Sequence, residues 1–256
     1  MALTLKKSLG QHFLHDENMC NKIVDQVSRY EGLQLLEIGP GGGAITKYLL
    51  QWPEVEYKAI EVDDEKVAYL QKQYPAITGK LINQDFLKST VPFEGQFTII
   101  GNFPYNISTQ ILFKILEWEG QVDEVVGMFQ KEVAQRVASK HGTKAYGILS
   151  VLMQAFFHVS YEFDVPPTCF NPPPKVMSGI LKITNAHNPY HIQNRANFFR
   201  IVKAAFNQRR KMIRNGLKGI FPPEVLVEEI FSKRVEQLSV ADFVLLYEKY
   251  EAIKQQ

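Results

Sequence analysis

The chain has 256 residues, 45% of them apolar, with 16 Gly and 13 Pro, a composition that suits a soluble globular protein of one large domain and a small second one. No stretch approaches the roughly 18 consecutive apolar residues of a membrane span, and Lys6 and Lys7 have no apolar segment behind them, so neither a membrane anchor nor a secretion signal is expected. The net charge of +2 names no partner, and Cys20 and Cys169, far apart and without metal-ligand spacing, read as free thiols of a cytoplasmic protein with no metal site.

Residues 33–38 form an apolar run ahead of the glycine-rich stretch 39–43, which predicts a first strand and a tight turn. A helix is expected over 44–51. Residues 56–62 predict the second strand, after which Asp63 can cap a helix to about Tyr74. A short third strand over 80–83 ends at Asp85, and the apolar run 97–101 gives a fourth. The next helix follows Asn106 to about Trp118, with Ile107, Ile111, Leu112 and Ile115 at helical spacing. Residues 122–129 read as a fifth strand. This alternation predicts an α/β fold, a parallel sheet with helices on both faces.

Past Lys131 the pattern changes. A long helix is expected over 146–157, a strand over 159–165, a Pro-rich segment over 166–174 and a closing strand over 176–183. The two late strands have no crossover helix between them, so an antiparallel hairpin at the sheet edge is predicted. The polar segment 185–193 marks a boundary between a domain of residues 1–186 and one of 187–256. The second domain reads as helical, with Phe198, Val202, Ala205, Phe206, Ile213 and Leu217 along one stripe. Charge divides the same way: 17 Lys and Arg against 20 Asp and Glu in residues 1–185, then 12 against 7 in residues 186–256. From 195 to 218 there are eight basic residues and no acid.

The turn Glu37-Ile38-Gly39-Pro40-Gly41-Gly42-Gly43 lets the backbone approach a ligand closely. Glu61 follows Gly39 by 22 residues, at the end of the second strand, where an acid can accept both hydroxyl protons of a ribose. Asp85, ending the third strand, is placed to hold the amine of an adenine ring. Gly39, Gly41 and Ala44 also fit a dinucleotide pattern, so a nicotinamide cofactor stays open. Pro40 and Glu37 favour S-adenosylmethionine, whose aminoacyl group is more compact than a pyrophosphate.

Asn102-Phe103-Pro104-Tyr105 closes the fourth strand with an amide, a proline and an aromatic ring. That set offers acceptors beside a flat π-face, which suits a planar base with an exocyclic amine such as adenine. The Asn102 side-chain oxygen and the carbonyl of Phe103 or Pro104 can receive the amine protons, and Tyr105 can stack on the base.

Across nearly its whole length the chain resembles the KsgA/RsmA ribosomal RNA adenine dimethyltransferases, relatives of the Erm resistance methyltransferases. The matching segments are Gly10-Gln11-His12-Phe13-Leu14, Glu37-Ile38-Gly39-Pro40-Gly41, Asn102-Phe103-Pro104-Tyr105-Asn106-Ile107-Ser108, Gln130-Lys131-Glu132-Val133, Lys144-Ala145-Tyr146-Gly147, Phe170-Asn171-Pro172-Pro173-Pro174-Lys175-Val176 and Ala205-Phe206-Asn207-Gln208-Arg209-Arg210-Lys211. The resemblance implies a Rossmann-like class I methyltransferase sheet with a small all-helical C-terminal domain. It implies methyl transfer from S-adenosylmethionine to N6 of two adjacent adenosines in a hairpin loop near the 3′ end of small-subunit (16S) ribosomal RNA. By position, His12, Leu14, Gly39, Gly41, Glu61, Asp85 and Asn102 would line the cofactor site. Asn102, Pro104 and Tyr105 would handle the amine, with Phe170 stacking on the other face of the base. Phe103 departs from the aliphatic residue usual there. The run from Asn207 to Lys211 is of the KsgA and not the Erm type.

Lys6, Lys7, Lys140, Lys144, Arg209, Arg210, Lys211 and Arg214 are candidate RNA contacts, since an acid-free basic stripe suits phosphates better than it suits simple solubility. A monomer is expected. Two rival readings use the same features: a nicotinamide oxidoreductase on the glycine turn, and a ribosome-assembly factor that binds RNA without turnover.

Overall fold

The structure, a computed structural model, describes residues 12–255. The strands are β1 (Phe13–Leu14), β2 (Gln34–Ile38), β3 (Glu56–Glu61), β4 (Leu81–Asn83), β5 (Phe97–Asn102), β6 (Val122–Gln130), β7 (Phe157–Val165), β8 (Phe170–Asn171) and β9 (Ser178–Asn185). The α-helices are α1 (Glu17–Val24), α2 (Thr46–Leu49), α3 (Asp64–Gln73), α4 (Ser108–Glu117), α5 (Lys131–Ala138), α6 (Ile148–Gln154), α7 (Arg195–Phe206), α8 (Ile213–Leu217) and α9 (Val240–Lys254). They group into two compact units. The first runs through Ala134 and resumes at Val159–Asn185; the second comprises Gln135–His158 and the chain from Ala186.

Seven strands form one sheet in the order β4-β3-β2-β5-β6-β9-β7. The first five pair in parallel, and β9 runs antiparallel to β6. Strands β2 and β5 are buried almost throughout, as a parallel sheet covered on both faces requires. The chain leaves β2 towards β3 on one side and returns to β5 on the other. At that reversal the carboxyl ends of β2 and β5 open a crevice, the place where doubly wound sheets bind ligands. β9 inserts between β6 and β7, so the last strand of the sheet is not its edge.

Local rules account for most element ends. The Asp63 side chain accepts from Glu65 N and starts α3, as expected. The expected helix over 44–51 contracts to four residues because the glycine turn, closed by Gly43 N donating to the Pro40 carbonyl, extends into its start. The helix expected over 146–157 is shorter at both ends. Gly147 is extended at its N-cap, and Phe157 already belongs to β7, where aromatic and β-branched residues prefer the pleated sheet. In the second unit the helical stripe breaks at 207–212, between α7 and α8. That unit's core is aromatic, with Phe206 stacked on Phe243 at 5.9 Å and Phe198 set edge-on to Tyr247 at 6.0 Å.

Candidate active site

The turn after β2 is built on positive φ angles, +67° at Gly39 and +58° at Gly41, which side chains with a Cβ adopt only under strain. A Cβ at Gly39 would meet nothing within 4 Å, so the backbone there borders open space. Glu61 braces the turn from β3. It is 5% exposed, its Oε1 accepts from Val62 N (3.0 Å) and Asp63 N (3.1 Å), and its Oε2 accepts from Gly41 N (3.1 Å). The two oxygens therefore differ: Oε1 is saturated by backbone, whereas Oε2 keeps a lone pair for a ligand hydroxyl. Asp85 caps a short 3-10 turn by accepting from Leu87 N at 2.9 Å. Its other oxygen has no hydrogen bond among the described residues.

Beneath the turn lies Glu37, fully buried, accepting from Thr46 Oγ1 (3.0 Å) and from the Tyr57 hydroxyl. Burial raises its pKa to about 7, against the two hydrogen bonds, which favour the carboxylate.

At the end of β5, Asn102 Nδ2 donates to the His12 carbonyl at 3.4 Å, leaving Oδ1 as an acceptor. The two carbonyls that follow are not equivalent. That of Pro104 already accepts from Ile107 N (3.2 Å) and Ser108 Oγ (3.2 Å). That of Phe103 accepts nothing among the described residues, so it is the one left unshared. The Tyr105 hydroxyl is hydrogen-bonded to Ser178 on β9, and its ring lies 5.9 Å from that of His12. His12 Nδ1 donates to the Pro172 carbonyl at 2.8 Å, which fixes the proton on Nδ1 and leaves Nε2 bare in the neutral ring.

The glycine turn, Glu37, Glu61, Asp85, His12 and the segment from Asn102 to Tyr105 border one cavity of about 310 Å³ in the first unit. His12, Leu14, Gly39, Gly41, Glu61, Asp85, Asn102, Pro104 and Tyr105 line it. Phe170 does not. Its strand pairs with β1, opposite Leu14, and the residue is 2% exposed, within the hydrophobic core. Among the lining residues not named as site candidates from the sequence are Phe13, whose ring approaches Gly41; Lys66, buried with its ammonium 5.4 Å above that ring; and Val62, exposed just past Glu61. The donor set fits S-adenosylmethionine. The carboxylates Glu61 and Asp85 outnumber the one lysine, which favours a ligand carrying a cationic sulfur and ammonium and disfavours a pyrophosphate.

In the second unit, Arg209 Nη2 donates to the Lys144 carbonyl at 2.6 Å, bringing the 140–144 loop against the 209–214 run. Lys140, Lys144, Arg210, Lys211 and Arg214 are exposed around that contact. Lys6 and Lys7 lie outside the described residues. Among those residues no group of acids, histidines and cysteines could hold a metal ion, and no helix is long and apolar enough to cross a membrane.

Residues 2–252 match the family described as ribosomal RNA adenine dimethylase. A relative in Flavobacterium johnsoniae named ribosomal RNA small subunit methyltransferase A is 51% identical over 251 residues, 96% of each chain. One of the same name in Cytophaga hutchinsonii is 48% identical over 242 residues, 93% of this chain and 94% of that one. A solved dimethyladenosine transferase from Plasmodium falciparum matches with a TM-score of 0.80 and 25% identity over 94% of this chain and 98% of its own. The 23S rRNA methyltransferase ErmE shares the fold, with a TM-score of 0.72 at 22% identity over 93% of this chain and 99% of its own. The chain belongs to the ribosomal RNA adenine dimethylase family, enzymes that methylate adenine in ribosomal RNA.

Proposed function

We propose that this chain is a cytoplasmic, monomeric enzyme that moves methyl groups from S-adenosylmethionine to N6 of two adjacent adenosines in a 3′-terminal hairpin loop of 16S ribosomal RNA. The product is N6,N6-dimethyladenosine, formed during small-subunit assembly. One observation carries the reading: two unshared acceptors, Asn102 Oδ1 and the Phe103 carbonyl, border the same cavity as the glycine turn.

S-adenosylmethionine, when bound, supplies an electrophilic methyl group on a cationic sulfur. Gly39 and Gly41 would let the backbone close on its aminoacyl end, with His12 and Leu14 as the opposite wall. Glu61 Oε2 would take a ribose hydroxyl, and the free oxygen of Asp85 the adenine amine. The N6 amine of the target is a poor nucleophile because its lone pair is delocalised into the ring. Acceptors aimed at its two protons favour the pyramidal nitrogen that can attack, and they accelerate the reaction only as far as they suit that geometry better than the planar one. Asn102 Oδ1 and the Phe103 carbonyl fill that role; Pro104 holds the turn, and Tyr105 stacks on the base. Lys140, Lys144, Arg209, Arg210, Lys211 and Arg214 would grip RNA phosphates. Phe170 is buried in this structure, so its stacking on the other face of the base would require its ring to become exposed.

The test uses small subunits from a strain lacking the enzyme, incubated with the purified chain and methyl-labelled cofactor, followed by nucleoside mass spectrometry. Dimethyladenosine at two neighbouring positions near the 3′ end is expected. Label elsewhere, or none, would end the reading.

A further inference from the structure

We propose that Lys66 is a positioning residue: its ammonium holds the Phe13 ring, and with it the wall from His12 to Leu14, closed over the cofactor end of the cavity. The inference rests on the S-adenosylmethionine reading above.

Lys66 stands where neither its helix nor its burial would choose a lysine. It is the third residue of α3, in a first turn where the helix dipole favours acids such as Asp64 and Glu65 and opposes a cation. It also shares the buried stripe of α3 with Leu70, one turn on, and is only 4% exposed. A buried ammonium costs free energy unless partners offset it. The Phe13 ring is one such partner. Lys66 Nζ lies 5.4 Å over its centroid, within reach of a cation–π contact, which is stronger in desolvated surroundings than on the surface. The same ring meets the glycine turn, since a Cβ at Gly41 would stand 3.7 Å from it. Lys66, Phe13 and Gly41 all line the cavity.

The wall is fastened differently on its two flanks. Towards β8 the ties are largely backbone. Phe13 pairs with Asn171 and Leu14 with Phe170, His15 N donates to the Cys169 carbonyl at 2.9 Å, and His12 Nδ1 donates to the Pro172 carbonyl. Towards α3, among the described residues, the wall is held by the Phe13 ring set between Lys66 and Gly41. That contact breaks without loss of a ladder hydrogen bond, because β1 pairs with β8 alone. It is therefore the flank that yields. Dimethylation consumes one cofactor per methyl, so the wall must open between transfers.

The sign of the effect separates a clasp from a wall charge. A lysine acting only through its field repels the cationic sulfur, so its removal would tighten S-adenosylmethionine and leave the neutral-sulfur product S-adenosylhomocysteine nearly unmoved. A lysine that clasps Phe13 slows the departure of both ligands by one factor.

The experiment measures stopped-flow dissociation of S-adenosylmethionine and of S-adenosylhomocysteine from wild type, Lys66→Met, Lys66→Arg, Phe13→Leu and the Lys66→Met, Phe13→Leu double variant. Lys66→Met keeps most of the buried stem and loses the charge; it should release both ligands about fivefold faster. Lys66→Arg, still a cation over the ring, should stay within about twofold of wild type. Phe13→Leu should also speed both releases, by at least about fivefold, and the double variant should be no faster than Phe13→Leu, because one contact is removed twice. Should Lys66→Met not fold, Lys66→Gln carries the same expectation. Unchanged release, tighter S-adenosylmethionine alone, or losses that multiply in the double variant overturn the inference. Wild type that binds neither ligand would instead remove the proposed cofactor, a separate outcome.

Discussion

The two ends of the cavity are built differently. The cofactor end is made of contacts close in sequence. Glu61 accepts from its own next two residues and from Gly41, 20 residues away on the neighbouring strand's turn. Glu37 is bonded to Thr46 and Tyr57, 9 and 20 residues on. The acceptor end depends on distant chain. Asn102 leans on His12, 90 residues back, and Tyr105 on Ser178, 73 residues ahead. One strand-turn-strand unit therefore suffices to shape the glycine turn and the acids that brace it, while the acceptor end exists only once β1 and β9 have docked.

The comparison breaks hardest at Glu37, the acid buried beneath the cofactor end. Its pKa in the folded chain is raised from 4.5 to about 7, first by burial, and by the charge of Glu61 in addition. Between those values the folded state holds a proton that the unfolded state has lost, so stability falls as pH rises from about 4.5 to about 7 and is level above that. Glu37→Gln removes the titration. Relative to wild type it should gain up to ~3 kcal/mol between pH 5 and pH 8, read from denaturant unfolding of both proteins at the two pH values. Parallel pH profiles would show that Glu37 ionises without penalty and that this end is not preformed around a neutral acid.

At the acceptor end the largest effect belongs to Asn102→Ala. It should cost at least ~2.7 kcal/mol of transition-state stabilisation, about a hundredfold in single-turnover rate. Calorimetric affinity for S-adenosylmethionine should stay within a few-fold, because the glycine turn, Glu61 and Asp85 are untouched. Wild-type turnover in this variant would leave the Phe103 carbonyl as the only acceptor that matters.

The same division explains what the sequence discloses. The glycine turn is legible because only glycine takes positive φ freely, and Glu61 and Asp85 because they end strands whose apolar runs are plain. Asn102 is legible for the same reason. Ser178 is not: nothing around it says that its hydroxyl meets Tyr105. The β1–β8 pair is two residues long, too short to show alternation, and it decides the fate of Phe170. The Phe170–Val176 motif suggested a base-stacking ring, but pairing beside Leu14 turns that ring into the core. Periodicity likewise finds β7 and β9 but not their order in the sheet, which depends on which of them covers β6.

Ser178→Ala tests the acceptor end most gently. The serine is fully buried and its bond to the Tyr105 hydroxyl is a single neutral contact, worth about 1 kcal/mol net. Tyr105 itself is half-buried, and burial raises its pKa, so the hydroxyl stays protonated and keeps needing a partner. If that bond orients the ring for stacking, Ser178→Ala should slow methylation about fivefold at subsaturating small subunit and leave cofactor affinity unchanged. Tyr105→Phe removes the same bond from the other side. The double variant should then be no slower than either single one, because the two substitutions delete one interaction. Strictly additive losses would mean that the hydroxyl and the serine act apart, and that the ring is oriented by His12 alone.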